Sequence, residues 1–268
     1  MNKIPGCNAK YLMITALAVW GLYSCSVKED RTVCPCLLEV VFPDKGNDSG
    51  RVLLEGWTTD EVFRDEMTLV GKQDTIMLRV PRTMIHFSAV AGLAQCERKG
   101  HVITVPEGSQ SDSLYGYIDY VDCTGETAST EVYFHKQFAT VTIQIINVSF
   151  PAKDYSFVVS SGRSGLDILS LQAVAGQFRH QLKLEEGRRM VFRLPRQGDD
   201  SLVLFVTHIS GDSVQFPLGQ FIRNMGYDWD ETDLKDILVT IDISRNQVTI
   251  GVAGWENAVE YELSMVEM

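Results

Sequence analysis

Apolar residues in this chain recur at alternate positions over short stretches, and turn-forming residues separate those stretches. Leu37 to Phe42, Arg51 to Leu54, Glu66 to Val80, Met84 to Ala91, His101 to Val105 and Leu114 to Asp122 read as strand segments. Pro43 to Gly50, with Asn47, Asp48 and Ser49, reads as a turn-rich break. In the second half, Tyr155 to Ser160, Phe178 to Leu184, Met190 to Leu194 and Leu202 to His208 are expected strands, and Gly162 to Ala175 is expected to contain a short helix. Ile237, Val239, Ile241 and Ile243 alternate, and Val248, Ile250 and Val252 alternate again after Ser244-Arg245-Asn246-Gln247, which predicts a hairpin. Val259, Tyr261 and Leu263 suggest a final strand.

One stretch breaks its own rhythm. Val132, Phe134 and Phe138 share one parity, whereas Val141, Ile143 and Ile145 share the other. A strand with one buried face cannot change parity without a bulge or a break, so two strands or one bulged strand are expected between Thr130 and Val148. That region is expected to end a first β-sandwich domain, residues 37–150. Ser149 to Asp154, around Pro151, reads as a linker into a second, residues 151–268. The pattern as a whole predicts an all-β protein of stacked antiparallel sheets. A βαβ array would need crossover helices between its strands, and no regular helical period separates them here.

The amino end has a different character. Lys3 and Lys10 precede a mostly apolar run from Tyr11 to Leu22, and no acidic residue occurs before Glu29. That is the pattern of a secretory leader, and residues 1–24 are expected to be a signal peptide. The run is too short to cross about 30 Å of hydrocarbon. Leu22-Tyr23-Ser24-Cys25 resembles a bacterial lipobox, with Leu22 three places before the cysteine and small Ser24 directly before it. Acylation at Cys25 would leave residues 25–36 as a lipidated tether, and two or three acyl chains hold a protein durably where one does not. Ser26-Val27-Lys28-Glu29-Asp30 resembles the Lys-plus-acidic export signal of Bacteroidetes surface lipoproteins.

The 268 residues carry 24 Lys and Arg against 35 Asp and Glu, a formal net charge of -11. That balance argues against nucleic acid, whose phosphates need a basic footprint, and against broad docking on anionic lipid. Beyond the leader and Cys25 remain Cys34, Cys36, Cys96 and Cys123. An exported chain meets an oxidising compartment, so disulfides are admissible, and four cysteines allow three connectivities. A direct Cys34–Cys36 ring would be short and strained. The preferred reading is two long bridges that tie Cys34-Pro35-Cys36 to Cys96 and Cys123. A four-thiolate metal site fits poorly with the short first pair.

Catalytic chemistry finds little support. His86, His101, His135, His180 and His208 are scattered, with no HExxH or equivalent cluster. Gly162-Arg163-Ser164-Gly165 lacks the glycine that a nucleophile elbow needs two places after its serine. Asp228, Asp230, Glu231 and Asp233 depart from EF-hand spacing and read as an acidic turn. Trp255 is expected in the core, whereas Trp57 and Trp229 are open between core and surface. No catalytic residue, metal or cofactor is expected.

Cys25, then Asp30-Arg31-Thr32-Val33-Cys34-Pro35-Cys36, the Leu37 to Phe42 strand, Met84 to Gly92, Phe138 to Ile145 and the Ile237 to Trp255 end form an ordered set. In that set the chain resembles the FimB/Mfa2 family of Bacteroidetes fimbrial anchor and accessory proteins. The resemblance implies two transthyretin-like (Greek-key) β-sandwich domains and a non-enzymatic role as an anchor or accessory subunit of a fimbria, contributing to fimbrial assembly and cell adhesion. It implies fimbrial shaft or accessory subunits as partners, and a surface-exposed attachment to the outer membrane through lipid. It brings no small-molecule substrate. The competing reading is a surface lipoprotein module that binds glycan or host protein.

Overall fold

The computed structural model describes residues 34–43, 50–69, 74–146, 154–185, 188–242, 247–252 and 259–262. The expected leader, Cys25, Pro151 of the expected linker and Trp255 lie outside them. Among the described residues the chain is almost wholly β, with sandwich-like layering.

β1 (Cys36–Phe42) turns Cys36, Leu38, Val40 and Phe42 inward, each fully buried, and Leu37 and Glu39 outward. This is the period-two pleat that the sequence announces. β1 runs antiparallel to β4 (Asp74–Val80) on one side and parallel to β9 (Thr127–Glu131) on the other. A second sheet has the order β10 (His135–Lys136), β8 (Tyr115–Asp122), β5 (Met84–Ala91), β2 (Arg51–Trp57), β3 (Glu61–Thr68). The inner residues of both sheets share one core, in which Leu38, Phe42, Leu54, Ile85 and Phe87 are fully enclosed. Each contributes about 1.5–3 kcal/mol by leaving water.

A second pair of sheets encloses a second core. One has the order β14 (Arg189–Pro195), β11 (Phe138–Ile146), β17 (Ile237–Asp242), β18 (Gln247–Val252), β19 (Val259–Glu262). The other runs β16 (Ser213–Phe216), β15 (Val203–His208), β12 (Tyr155–Asp167), β7 (Val102–Thr104), β6 (Glu97–Lys99), and β13 (Gln172–Gln181) also pairs with β12. Val141, Ile143, Ile145, Phe157, Phe178, Phe192 and Phe216 anchor this core. Contacts group Cys36–Met268 into one unit, within which the two cores remain distinct. A small cluster of Val90, Ile103, Leu114, Leu166 and Ile168 lies between them.

The β17–β18 hairpin and the pairing of β19 follow the sequence pattern. Other expectations need correction. Gly162 to Ala175 holds no helix: β12 and β13 form a long hairpin there, with a turn at 168–171. Register shifts between Ser161, Arg163 and Gly165 break the alternation, and small residues on both arms leave little apolar bulk to reveal it. The sheets are not purely antiparallel, because β1–β9 and β11–β17 are parallel pairs, which long intervening segments permit.

The parity change after Val132 is resolved by a break in the chain path. β9 belongs to the sheet of β1, β10 to the sheet of β8, and β11 pairs with β14 and β17 in the second sandwich rather than ending the first. The β6–β7 hairpin also departs from chain order, because it pairs with β12 through Gly165↔Thr104 to Asp167↔Val102. Sequence reading also passed over α1 (Leu218–Asn224), whose Leu218, Phe221 and Ile222 bury one face just after Pro217.

Candidate functional site

The strand that follows the expected tether is internal to its sheet. β1 is paired along both sides, and hydrogen bonds extend the pairing beyond its strict ladder. The Leu37 N–H donates to the Glu126 carbonyl at 2.9 Å, and the Val132 N–H donates to Val41 at 2.8 Å. The strand is therefore held by backbone bonds to two neighbours and by four inward side chains.

The four cysteines are free thiols in this structure. It separates them into different environments. Cys36 and Cys123 are fully buried in the first core. Cys96 packs instead against the second core and the cluster between the cores, and Cys34 is exposed. Burial pushes the Cys96 thiol up to about 12 and the Cys123 thiol likewise to about 12, with Cys36 close beside Cys123 adding to the rise. A nucleophilic cysteine needs its thiolate favoured, which is the opposite arrangement.

Charged groups secure the zone between the sandwiches. Glu55 on β2 is only 1% exposed. It accepts from Arg64 Nε at 2.8 Å and is also paired with Arg98 on β6. Trp57 Nε1 donates to the same carboxylate at 3.3 Å, so Trp57 is a polar brace as well as a packed ring. Nearby, one Asp112 oxygen accepts from the backbone N–H groups of Ala94, Gln95 and Cys96, each at 2.8 Å. Burial alone would raise the Asp112 pKa, but the N–H bonds from Cys96, Ala94 and Gln95 together outweigh it and hold the carboxyl below its ordinary value.

The acidic turn at 228–233 is fastened from below by Arg196, which is 3% exposed. Its guanidinium donates to the carbonyls of Trp229 and Glu231 and to Gln137 Oε1, the last at 2.8 Å from Nη2. Burial lowers the Arg196 pKa, while Asp230, Asp228 and Asp233 act against that shift. Asp233 accepts the Lys136 N–H at 2.7 Å and lies 3.0 Å from His135 Nδ1. Asp236 accepts from Lys136 Nζ at 2.5 Å and from the Thr140 N–H at 2.7 Å. The carboxylates thus pin β10 and β11, and among the described residues no His/Cys/Asp/Glu group has the arrangement of a metal site.

The remaining candidates are dispersed. His86 stacks on Tyr120 at 4.3 Å, and burial lowers its pKa. His101 meets the edge of Trp57 and lies 3.7 Å from Asp167. His180 lies 2.8 Å from the Gly108 carbonyl, and His208 Nδ1 2.7 Å from Ser210 Oγ. Ser164, buried, faces Gly176 rather than a cleft. Trp229 is buried and paired with Tyr227 at 4.6 Å, which places it in the core. A surface groove of about 480 Å³ lies above that pair, lined by Arg163, Gln172, Arg223, Asp228 and Asp230 among others. Arg163 and Arg223 are already paired with Asp199 and Asp200. Sequence reasoning missed Glu55, Arg98 and Arg196, because a charged residue in a strand or loop ordinarily faces water.

No protein-family model matches the chain. A stretch of 109 residues, 41% of this chain, is 28% identical to the cysteine protease StiP of Acinetobacter baylyi, and the match spans only 28% of that protein. Solved structures match far more of the molecule. A candidate polysaccharide-binding protein of Bacteroides thetaiotaomicron has a TM-score of 0.61 at 13% identity, over 85% of this chain and 98% of that one. A candidate adhesin of Bacteroides ovatus has a TM-score of 0.59 at 11% identity, over 90% and 99%. The fimbrial anchor protein Mfa2 of Porphyromonas gingivalis has a TM-score of 0.60 at 12% identity, over 83% and 98%. The chain therefore shares its overall fold with Bacteroidetes proteins described as fimbrial or adhesive.

Proposed function

We propose that this protein is a non-enzymatic, lipid-tethered subunit of a fimbria, acting as its anchor or as an accessory component at the cell surface. The observation that carries the reading is the position of β1. The strand that follows the Cys25 lipobox in sequence is bonded on both sides, as an attachment point under tension requires. An edge strand held on one side would peel one bond at a time. The shared fold with Mfa2 over nearly all of that chain supports the assignment, as do raised thiol pKa values that disfavour nucleophilic chemistry. In this reading the sandwiches are transthyretin-like Greek-key domains, Cys25 carries lipid, and the outer membrane bears the other end.

A partner subunit would add a strand to an exposed sheet edge through backbone hydrogen bonds. β16 is a suitable edge. Among the described pairings it has β15 as its neighbour, and Val214 and Ile209 beside it are 39% and 77% exposed. Two measurements test the proposal. Labelled palmitate should enter the wild-type protein and not Cys25→Ala, and a deletion strain should lose or mislocate its surface fimbriae. Persistent label in the variant removes the tether, and unchanged fimbriae remove the anchor.

A second reading, a glycan-binding surface module, draws on the groove beside Trp229 and on the likeness to the Bacteroides thetaiotaomicron protein. Binding on a glycan array that Arg163→Ala and Asp228→Ala abolish would favour it over the anchor.

A further inference from the structure

Two backbone constraints converge on one end of the first sandwich. Cys36 opens β1 directly opposite Val80, the last residue of β4. Cys123 follows the last residue of β8 and donates its N–H to the Thr83 carbonyl at 3.1 Å. Val80 and Thr83 flank the same tight connection between β4 and β5, in which the Thr83 N–H donates to Pro81. That turn brings the two cysteines together from opposite sheets. Both side chains are fully buried in one core, and each thiol is the other's neighbour. Cys96, the other expected partner, belongs to different clusters.

We propose that Cys36 and Cys123 close into a disulfide that staples β1 to the end of β8 across the first sandwich. Each thiol releases its proton, and the pair gives two electrons to a disulfide-bearing oxidant, which departs as two thiols. Closure belongs to the folding chain. An unfolded cysteine has a thiol pKa of about 8.5 and meets the oxidant freely, whereas the folded pair is sealed from water and burial raises the Cys123 thiol pKa. The bridge itself stands on this packing. Its use, which is to spread a pull on β1 into both sheets, rests on the anchor reading.

The test is peptide mapping of the full chain purified from cells, alkylated and denatured without reductant. A linked pair of peptides containing Cys36 and Cys123, with Cys96 carrying the alkyl group, is the expected result. Alkylation of both Cys36 and Cys123, or a link from Cys123 to Cys34, overturns the proposal. Denaturation of Cys36→Ser, Cys123→Ser and the double variant supplies an independent measure. Reductant should lower the wild-type midpoint and leave all three variants unmoved. A single variant that still responds to reductant counts against this pairing. Fractionation in the same cells separates the two ideas, since a linked chain found unlipidated in the medium keeps the bridge and defeats the anchor.

Discussion

Arg98, on a hairpin paired into the second sandwich, reaches the buried carboxylate of Glu55 in the first. The carboxylate is thus held by Arg64 and Trp57 within its own sheet and by Arg98 from the other. Removing Arg98 leaves Glu55 with the Trp57 Nε1–H and the half-exposed Arg64, at 42% side-chain exposure. Arg98→Ala is expected to cost about 1.5–3 kcal/mol, the range for a hydrogen bond to a charged group, because Arg64 still compensates Glu55. Urea unfolding checks this, and a loss under about 0.5 kcal/mol, the scale of ordinary surface substitutions, would show that the pairing does not hold the sandwiches together.

Arg196 performs the corresponding task at the acidic turn. Arg196→Met keeps much of the side-chain volume but leaves the Trp229 and Glu231 carbonyls and the Gln137 amide oxygen without their donor. Each buried group left unpaired costs about 1–3 kcal/mol. Hydrogen exchange should therefore quicken at residues 227–236, while exchange in β1 and β2 stays unchanged.

Acid should loosen the loop that Asp112 organises. Its folded pKa lies below the ordinary carboxylate value of 3.8, so its contribution to stability is complete above that value and drains as pH falls through the folded pKa. Asp233 and Asp236, similarly lowered, add to the same limb. The urea midpoints of the wild type and Asp112→Asn should differ at pH 7 and approach each other below about pH 4, near the ordinary carboxylate pKa. A gap that stays constant with pH would assign the effect of the variant to shape alone.

Gly92, two residues before that loop, has φ of +83°, and a Cβ there would overlap the Ser113 carbonyl oxygen. Gly92→Ala combines left-handed strain with a backbone clash and should cost at least about 1–3 kcal/mol. Thermal unfolding of the purified variant reads this directly, and an unchanged midpoint would mean that the turn relaxes freely.

Much of the strand inventory was legible because burial here is one-sided. Leu38, Val40 and Phe42, and later Val239 and Ile241, alternate with outward residues, and each such run became a strand. The β12–β13 hairpin was obscured by its bulges and by Gly162, Gly165, Ala173 and Ala175, which carry no strong periodic signal. The helical spacing of Leu218, Phe221 and Ile222 was present but too brief to stand out. Sheet membership was beyond local pattern. Nothing in Phe138–Ile146 says that it will lie between Met190 and Val239 rather than beside Val121. The buried charges were hidden for a related reason, since Glu55 and Arg98 make sense only as a pair distant in sequence.

The Glu97–Thr104 hairpin has a consequence for biosynthesis. Its partner segment, Gly165–Asp167, leaves the ribosome long after it does. Until then Val102 to Thr104 stays an unsatisfied edge, and the second core lacks its closing strands. Long-range pairing of this kind slows maturation and leaves strand edges exposed in folding intermediates.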